Sequence, residues 1–211
     1  WVIIAPQRTA RPNDFVLLPA PVSDGRDCPF CKGRESRTPK AIACYRTSLT
    51  AQRAWDVRVV PNKYPAVNAQ LQEAGAIPYS RLSGGESAYE TNGHASIDLF
   101  RRRDLSGGHE VIVESPNHLQ SISQLDRETT RLVFTAFRDR FHYWLHDRRL
   151  NYAVIFKNVG QEAGASLAHT HSQLIATDIL PTDVERAVKR MQLFDERESA
   201  CLLCRMAEDE L

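Results

Sequence analysis

His169-Thr170-His171-Ser172-Gln173-Leu174-Ile175-Ala176-Thr177 decides the reading of this chain. Side chains on a strand alternate, so a strand over these residues sends His169, His171 and Gln173 to one face and Thr170, Ser172 and Leu174 to the other. The loop just upstream, Val159 to Ala168, follows Asn158 and contains Gly160, Gly164 and Ser166. Such residues suit a tight turn with its donors aimed inward, and the backbone N–H groups and the Ser166 hydroxyl can hold phosphate oxygens. An arbitrary H-x-H is more often a pair of surface or satisfied core histidines. The glycine- and serine-bearing loop, together with cysteines that need further ligands, tips the reading towards a site for a phosphate ester.

Working outward, Tyr152 to Asn158 reads as a second strand, joined to the first by that loop. Asp126 is placed to cap a helix reaching about His146, because Val133, Phe137, Phe141 and Trp144 or Leu145 recur at three- and four-residue intervals. His109 to Glu114 reads as a strand entered through Gly107-Gly108 and stopped by Pro116, which leaves His118 just past its end. Val57 to Val60 is a further strand, leading into Pro61-Asn62-Lys63-Tyr64-Pro65; two prolines bar a helix there, so Asn62 is displayed on an irregular loop. Trp1 to Ala5 is a short strand followed by a loop with Arg8 and Arg11, and Ala69 to Arg103 is a polar surface excursion. A second helix starts near Thr182. Strands outnumber helices and need no parallel crossovers, so the expected class is α+β, a mainly antiparallel sheet with helices packed on it.

The bulk properties agree with a globular chain: 211 residues, 42% hydrophobic and 25% charged. A formal net charge of +1 gives no broad basic field, which disfavours nucleic acid and leaves a small phosphorylated molecule as the partner. No apolar run is long enough to span a bilayer and no signal peptide is evident, so a cytoplasmic location without membrane attachment is expected. The chain starts at Trp1 rather than methionine and stops in a polar helix-like run, so both ends are expected to be cut. The closing Glu208-Asp209-Glu210-Leu211 is discounted as a retention signal, having no basic or histidine residue in first place and no leader.

Four of the five cysteines form two C-x-x-C pairs, Cys28 with Cys31 and Cys201 with Cys204. In a large, otherwise cysteine-poor chain this suits metal or redox chemistry better than a disulfide framework. Cys44 is assigned nothing. The Pro- and Gly-punctuated stretch around Cys28-Pro-Phe-Cys31 is expected to be ordered by metal rather than by packing.

Arg8-Thr9-Ala10-Arg11, Cys28-Pro-Phe-Cys31, Val60-Pro61-Asn62, Ser115-Pro116-Asn117-His118 and the run from Asn158 to Gln173 stand in an order and spacing that resemble the galactose-1-phosphate uridylyltransferases and their relatives in the histidine-triad superfamily, including an ADP-glucose phosphorylase branch. The resemblance covers nearly the whole chain. It implies that His171 is a nucleophile that attacks the α-phosphorus of a nucleoside diphosphate sugar, releasing hexose 1-phosphate and leaving a nucleotidyl-imidazole for a second phosphate acceptor. An unperturbed imidazole is largely neutral at cellular pH and needs no separate base. Gln173 and Ser166 match residues that hydrogen-bond the phosphate, Asn62, Asn158 and Gly164 match nucleotide contacts, and Arg8 and Arg11 would stabilise the shifting charge. Phe156 and Val60 would flank the base.

The same resemblance makes Cys28, Cys31, His118 and His169 zinc ligands, a closed Cys₂His₂ set whose role is structural. A thioredoxin-like dithiol at Cys28-x-x-Cys31 is disfavoured by the Pro- and Gly-rich flanks. A four-cysteine site with Cys201 and Cys204 would leave the histidines without a task. The second pair fits the start of a similar second half, so the domains read as 1–180, a nucleotidyltransferase half with its zinc site, and 181–211, the start of a truncated second half. The family forms dimers, which implies a homodimer.

Lys157 and Lys63 stand where acidic residues are common in the uridylyltransferases, which keeps adenylyl transfer from an ADP-sugar to phosphate as an alternative. A non-catalytic nucleotide-binding module is the rival from another class, distinguished by whether His171 has chemical work to do. A phosphoramidase would commonly carry a third histidine where Gln173 stands.

Overall fold

The computed structural model describes residues 25–47, 54–67, 105–160 and 163–210. The expected strand at Trp1 to Ala5 and the excursion from Ala69 to Arg103 lie outside the described residues. Five strands form one sheet: β1 (Ala43–Tyr45), β2 (Val57–Pro61), β3 (Gly107–Val113), β4 (Tyr152–Phe156) and β5 (His171–Thr177). Their order is β1-β2-β3-β5-β4 and every pairing is antiparallel. The expected class is the observed one, with β1 as a strand that its short, mixed sequence did not signal.

Register sorts the side chains. Val57, Val59, Ile112, Leu174 and Ala176 turn to one face, where they form a buried cluster with Val133, Ala136 and Trp144 of helix α1 (Arg127–Leu145). Each large aliphatic side chain fully buried there stabilises the fold by about 1.5–3 kcal/mol. Asp126 caps α1 as expected, accepting from the Thr129 N–H at 2.7 Å. Trp144, not Leu145, completes the buried stripe: Leu145 is 68% exposed. The Trp144 ring lies over Gly108, where a Cβ would come within 2.2 Å of it, and its Nε1 donates to Glu110 at 2.9 Å. Glu110 also receives both arms of Arg140, at 2.6 and 2.8 Å, so this buried carboxylate is fully paired.

The opposite face of the sheet carries His109, Val111 and Val113 of β3, Val60 of β2, and His171 and Gln173 of β5. A second buried cluster joins Val60, Val111 and Val113 to Trp55, Cys28 and Phe30. The Cys28 turn is therefore held by packing as well as by any metal, a correction to the reading that metal alone orders it; Phe30 is the reason, a large apolar side chain buried against the sheet.

The described chain divides into two compact units, the sheet unit, which ends at Asp178, and a helical unit from Ile179 onward. The latter holds α2 (Thr182–Glu198) and α3 (Leu202–Asp209), with Ser199 in the left-handed conformation between them. No helix among the described residues is long and apolar enough to cross a membrane.

Candidate active site and metal centre

Strand β5 begins at His171, so His169 and Thr170 precede it rather than lie on it. Alternation nevertheless persists. Thr170 Oγ1 and Ser172 Oγ both donate to Glu114, at 2.5 and 2.6 Å, behind the sheet, while His169 and His171 turn to the front.

Two features give His171 a defined chemistry. Its Nδ1 lies 2.7 Å from the His169 carbonyl oxygen, a group that can only accept, so the proton sits on Nδ1 and the lone pair on Nε2. The edge of the Phe30 ring stands against the imidazole, with centroids 5.2 Å apart, and limits its rotation. The neutral ring is thus held in one tautomer.

His171 lines a cavity of about 320 Å³ together with Phe30, Asn62, Tyr64, Ser166 and Gln173. Three expected phosphate or nucleotide residues, Asn62, Ser166 and Gln173, are therefore brought to one pocket with the expected nucleophile, and Val60 lines it too. Asn158 lies on a smaller cavity, about 20 Å³, that reaches His169 and His171 from the loop side. Gly164 adopts φ 75°, a conformation that favours glycine, close to Asn158. The Ala165 N–H donates to the Gly160 carbonyl at 3.1 Å and closes the turn. Phe156 pairs with Gln173 across the β4–β5 ladder but is not on the lining of the larger cavity. Arg8 and Arg11 lie outside the described residues.

Lys63 lines the larger cavity and Lys157 lines the smaller one, with Asn158, His169 and His171. The Lys157 Nζ is engaged by Glu114 at 2.6 Å and by the His171 carbonyl at 2.8 Å.

One residue of the site passed unremarked in the sequence. His109, read only as the start of a strand, is buried, and its Nε2 lies 2.9 Å from Gln173 Oε1. Its position two residues before Val111, on the same face and diagonal to Gln173, was the available signal.

Cys28, Cys31, His118 and His169 converge, each offering a ligand atom within 4.8 Å of the others. The Nδ1 of His169 is 3.4 Å from Cys28 Sγ and 3.6 Å from Cys31 Sγ, and that of His118 is 3.5 Å from Cys31 Sγ. A tetrahedral ion with arms of about 2.3 Å to sulfur and about 2.0–2.1 Å to nitrogen has an S···N edge of about 3.5 Å, so the spacing fits. His169 Nε2 donates to the Ser115 carbonyl at 2.9 Å, which leaves the Nδ1 lone pair facing the sulfurs. Burial pulls the His169 imidazole down to about 4, so it is neutral, and burial, with Cys31 adding, pushes the Cys28 thiol up to about 12. A cation is what would ionise such a thiol. The cluster can hold a metal ion, and all four donors being protein groups leaves no open position. The Cys28 turn is irregular rather than a strand feeding a helix, which does not fit a thioredoxin-like dithiol.

The family model described as "Galactose-1-phosphate uridyl transferase, N-terminal domain" matches residues 50–181. An ADP-glucose phosphorylase from Arabidopsis thaliana is 31% identical over 206 residues, covering 97% of this chain and 53% of the relative. A galactose-1-phosphate uridylyltransferase from Thermotoga maritima is 29% identical over 210 residues, covering 100% and 54%. The crystal structure of an ADP-glucose phosphorylase from Arabidopsis thaliana with bound ADP-glucose superposes with a TM-score of 0.62 at 25% identity, over 96% of this chain and 53% of that one. The chain spans about half the length of the curated relatives it matches. On the match to its N-terminal domain over more than half of these residues, the chain belongs to the galactose-1-phosphate uridyl transferase family.

Proposed function

We propose that this chain carries the nucleotidyl-transfer half of a hexose-1-phosphate nucleotidyltransferase that works through His171. The observation that carries the proposal is the pre-set imidazole: Nδ1 bonded to the His169 carbonyl, Nε2 bearing the lone pair, on a cavity shared with Gln173, Ser166 and Asn62. In the first step His171 Nε2 attacks the α-phosphorus of a nucleoside diphosphate sugar. The N–P bond forms, the P–O bond to the β-phosphate breaks, and hexose 1-phosphate leaves with the electron pair. In the second, a phosphate oxygen of the acceptor attacks the same phosphorus and the N–P bond breaks, returning His171 to neutrality. Kinetics of the ping-pong type follow. Donors on Ser166 and the Gln173 amide stabilise charge on the non-bridging oxygens, with Asn62, Asn158 and the Gly164 turn holding the nucleotide, and Arg8 and Arg11 assisting.

In this reading the ion at Cys28, Cys31, His118 and His169 is Zn²⁺, whose closed coordination ties the Cys28 turn to the segment leading into β5. The helical unit beginning near residue 181 opens a second half, with Cys201 and Cys204 as the first ligands of its own site. The working assembly is a homodimer.

Adenylyl transfer from ADP-glucose to phosphate is the second reading, favoured by the 31% identity to an ADP-glucose phosphorylase over 97% of this chain. Intact-mass spectrometry after brief incubation with UDP-glucose or ADP-glucose, quenched at alkaline pH to preserve a phosphoramidate, separates the two. A UMP adduct absent from His171→Asn supports uridylyl transfer, and an AMP adduct with the same dependence supports the phosphorylase. Adduct formation that survives His171→Asn would overturn the mechanism, and no adduct with either donor would favour a nucleotide-binding module.

A further inference from the structure

We propose that His109 is a positioning residue for the phosphoryl site: it fixes the Gln173 amide with its NH₂ towards the ligand and holds the Asn62 loop in register with it. The consequence for rate rests on the nucleotidyl-transfer reading above; the consequence for geometry does not.

The Ala66 backbone N–H, which can only donate, lies 2.9 Å from His109 Nδ1, so Nδ1 accepts and the proton of a neutral ring must be on Nε2. That Nε2–H is 2.9 Å from Gln173 Oε1. Asn62 Oδ1 accepts from the Tyr64 N–H at 2.9 Å, which sets the Asn62 amide with Nδ2 towards the same place, 3.4 Å from Gln173 Oε1. Nδ2 and the His109 Nε2 are only 3.0 Å apart because two donors converge on one acceptor. With Oε1 taken from this side, Gln173 can meet a ligand only through its NH₂.

A donor amide suits an anionic phosphoryl oxygen and nothing that must itself donate. Had the amide been reversed, Gln173 would present a carbonyl to the phosphate and repel it. The same imidazole secures the loop that follows Asn62, since its Nδ1 accepts from the Ala66 N–H, alongside the main-chain bond from the Asn62 N–H to the His109 carbonyl at 2.8 Å. One buried side chain thus registers the loop bearing Asn62, Lys63 and Tyr64 to the strand bearing His171 and Gln173. A protonated His109 would point a second donor at the Ala66 N–H, so the ring works in its neutral form.

Two substitutions divide these duties. Asn at 109 offers an oxygen near the position of Nδ1 and keeps the bond to Ala66, but has nothing to give Gln173. Gln at 109 reaches the position of Nε2 with an NH₂ and restores that donor. Rates of adduct formation are measured by rapid quench, together with the apparent affinity for the donor sugar nucleotide. We expect His109→Asn to slow adduct formation about 10- to 100-fold with a much smaller change in apparent affinity, and His109→Gln to recover most of the rate. A wild-type rate in His109→Asn, or equal impairment in both variants, would overturn the proposal; the second result would mark a merely structural role. If the wild-type chain forms no adduct, the transfer reading fails and ¹⁵N NMR decides the geometry instead. The His109 ring should show the Nε2–H tautomer, and the Gln173 side-chain NH₂ should shift on addition of inorganic pyrophosphate in the wild type but not in His109→Asn. An Nδ1–H tautomer, or an unmoved Gln173 amide, would refute the positioning role by itself.

Discussion

Lys157 Nζ lies 2.6 Å from Glu114 Oε2 in an ion pair immediately behind His171, whose carbonyl the same ammonium also contacts at 2.8 Å. Glu114 has no exposed surface and takes hydroxyl donors from Thr170 and Ser172 as well. Burial lowers the Lys157 ammonium from its ordinary value while Glu114 opposes the shift. Removing one partner should therefore cost more than removing both. We expect Lys157→Met to destabilise the chain by about 3–5 kcal/mol in urea unfolding, and the double variant Lys157→Met with Glu114→Gln to recover part of that loss. Additive losses would show that the two side chains do not act as a pair.

The convergence of Cys28, Cys31, His118 and His169 carries its own test. Purified protein should hold about one zinc ion per chain by elemental analysis, lost in Cys28→Ser and His118→Ala and kept in His171→Asn. Chelation should lower the melting temperature, because an ion held by these four residues would cross-link a turn and a strand end that are far apart in sequence. Full metal content in Cys28→Ser would move the ion elsewhere.

Gly108 is expected to be intolerant of even a methyl group. Its added Cβ would sit 2.2 Å from the Trp144 ring, which cannot slide because Nε1 is bonded to Glu110. Gly108→Ala should cost about 1–3 kcal/mol and perturb near-ultraviolet circular dichroism from Trp144. Unchanged stability and spectrum would mean that α1 is free to shift on the sheet.

At the start of α1, Asp126→Ala removes the acceptor for the Thr129 N–H and for its hydroxyl at 3.1 Å. A loss of about 0.5–2 kcal/mol is expected, with nucleotide adduct formation unaltered. A parallel loss of adduct formation would tie the helix end to the site.

Several parts of the fold could be read directly. The apolar spacing of α1 and its Asp126 cap are local signals, as are the strand alternation of 171–177 and the Pro-bounded Asn62 loop, because each depends on residues within a turn or two of one another. β1 was missed since a three-residue edge strand, Ala43–Tyr45, owes its pairing to β2 rather than to its own composition. The choice of Trp144 over Leu145 was likewise beyond periodicity, which places both near the stripe; Glu110 and the space above Gly108 decide it.

The sequence by itself determined the α+β class and the face shared by His171 and Gln173, because alternation and capping act over short stretches of chain, whereas the set Cys28, Cys31, His118 and His169 was implied by the family resemblance and is brought together only by the fold. Tertiary structure alone decided which ring nitrogen of His171 carries the proton, that Lys157 pairs with Glu114, and that His109 stands against Gln173. Those outcomes depend on hydrogen bonds and charge pairs between β3, β5 and their flanking loops, where the acceptor a donor meets is set by sheet register and burial rather than by neighbours in sequence.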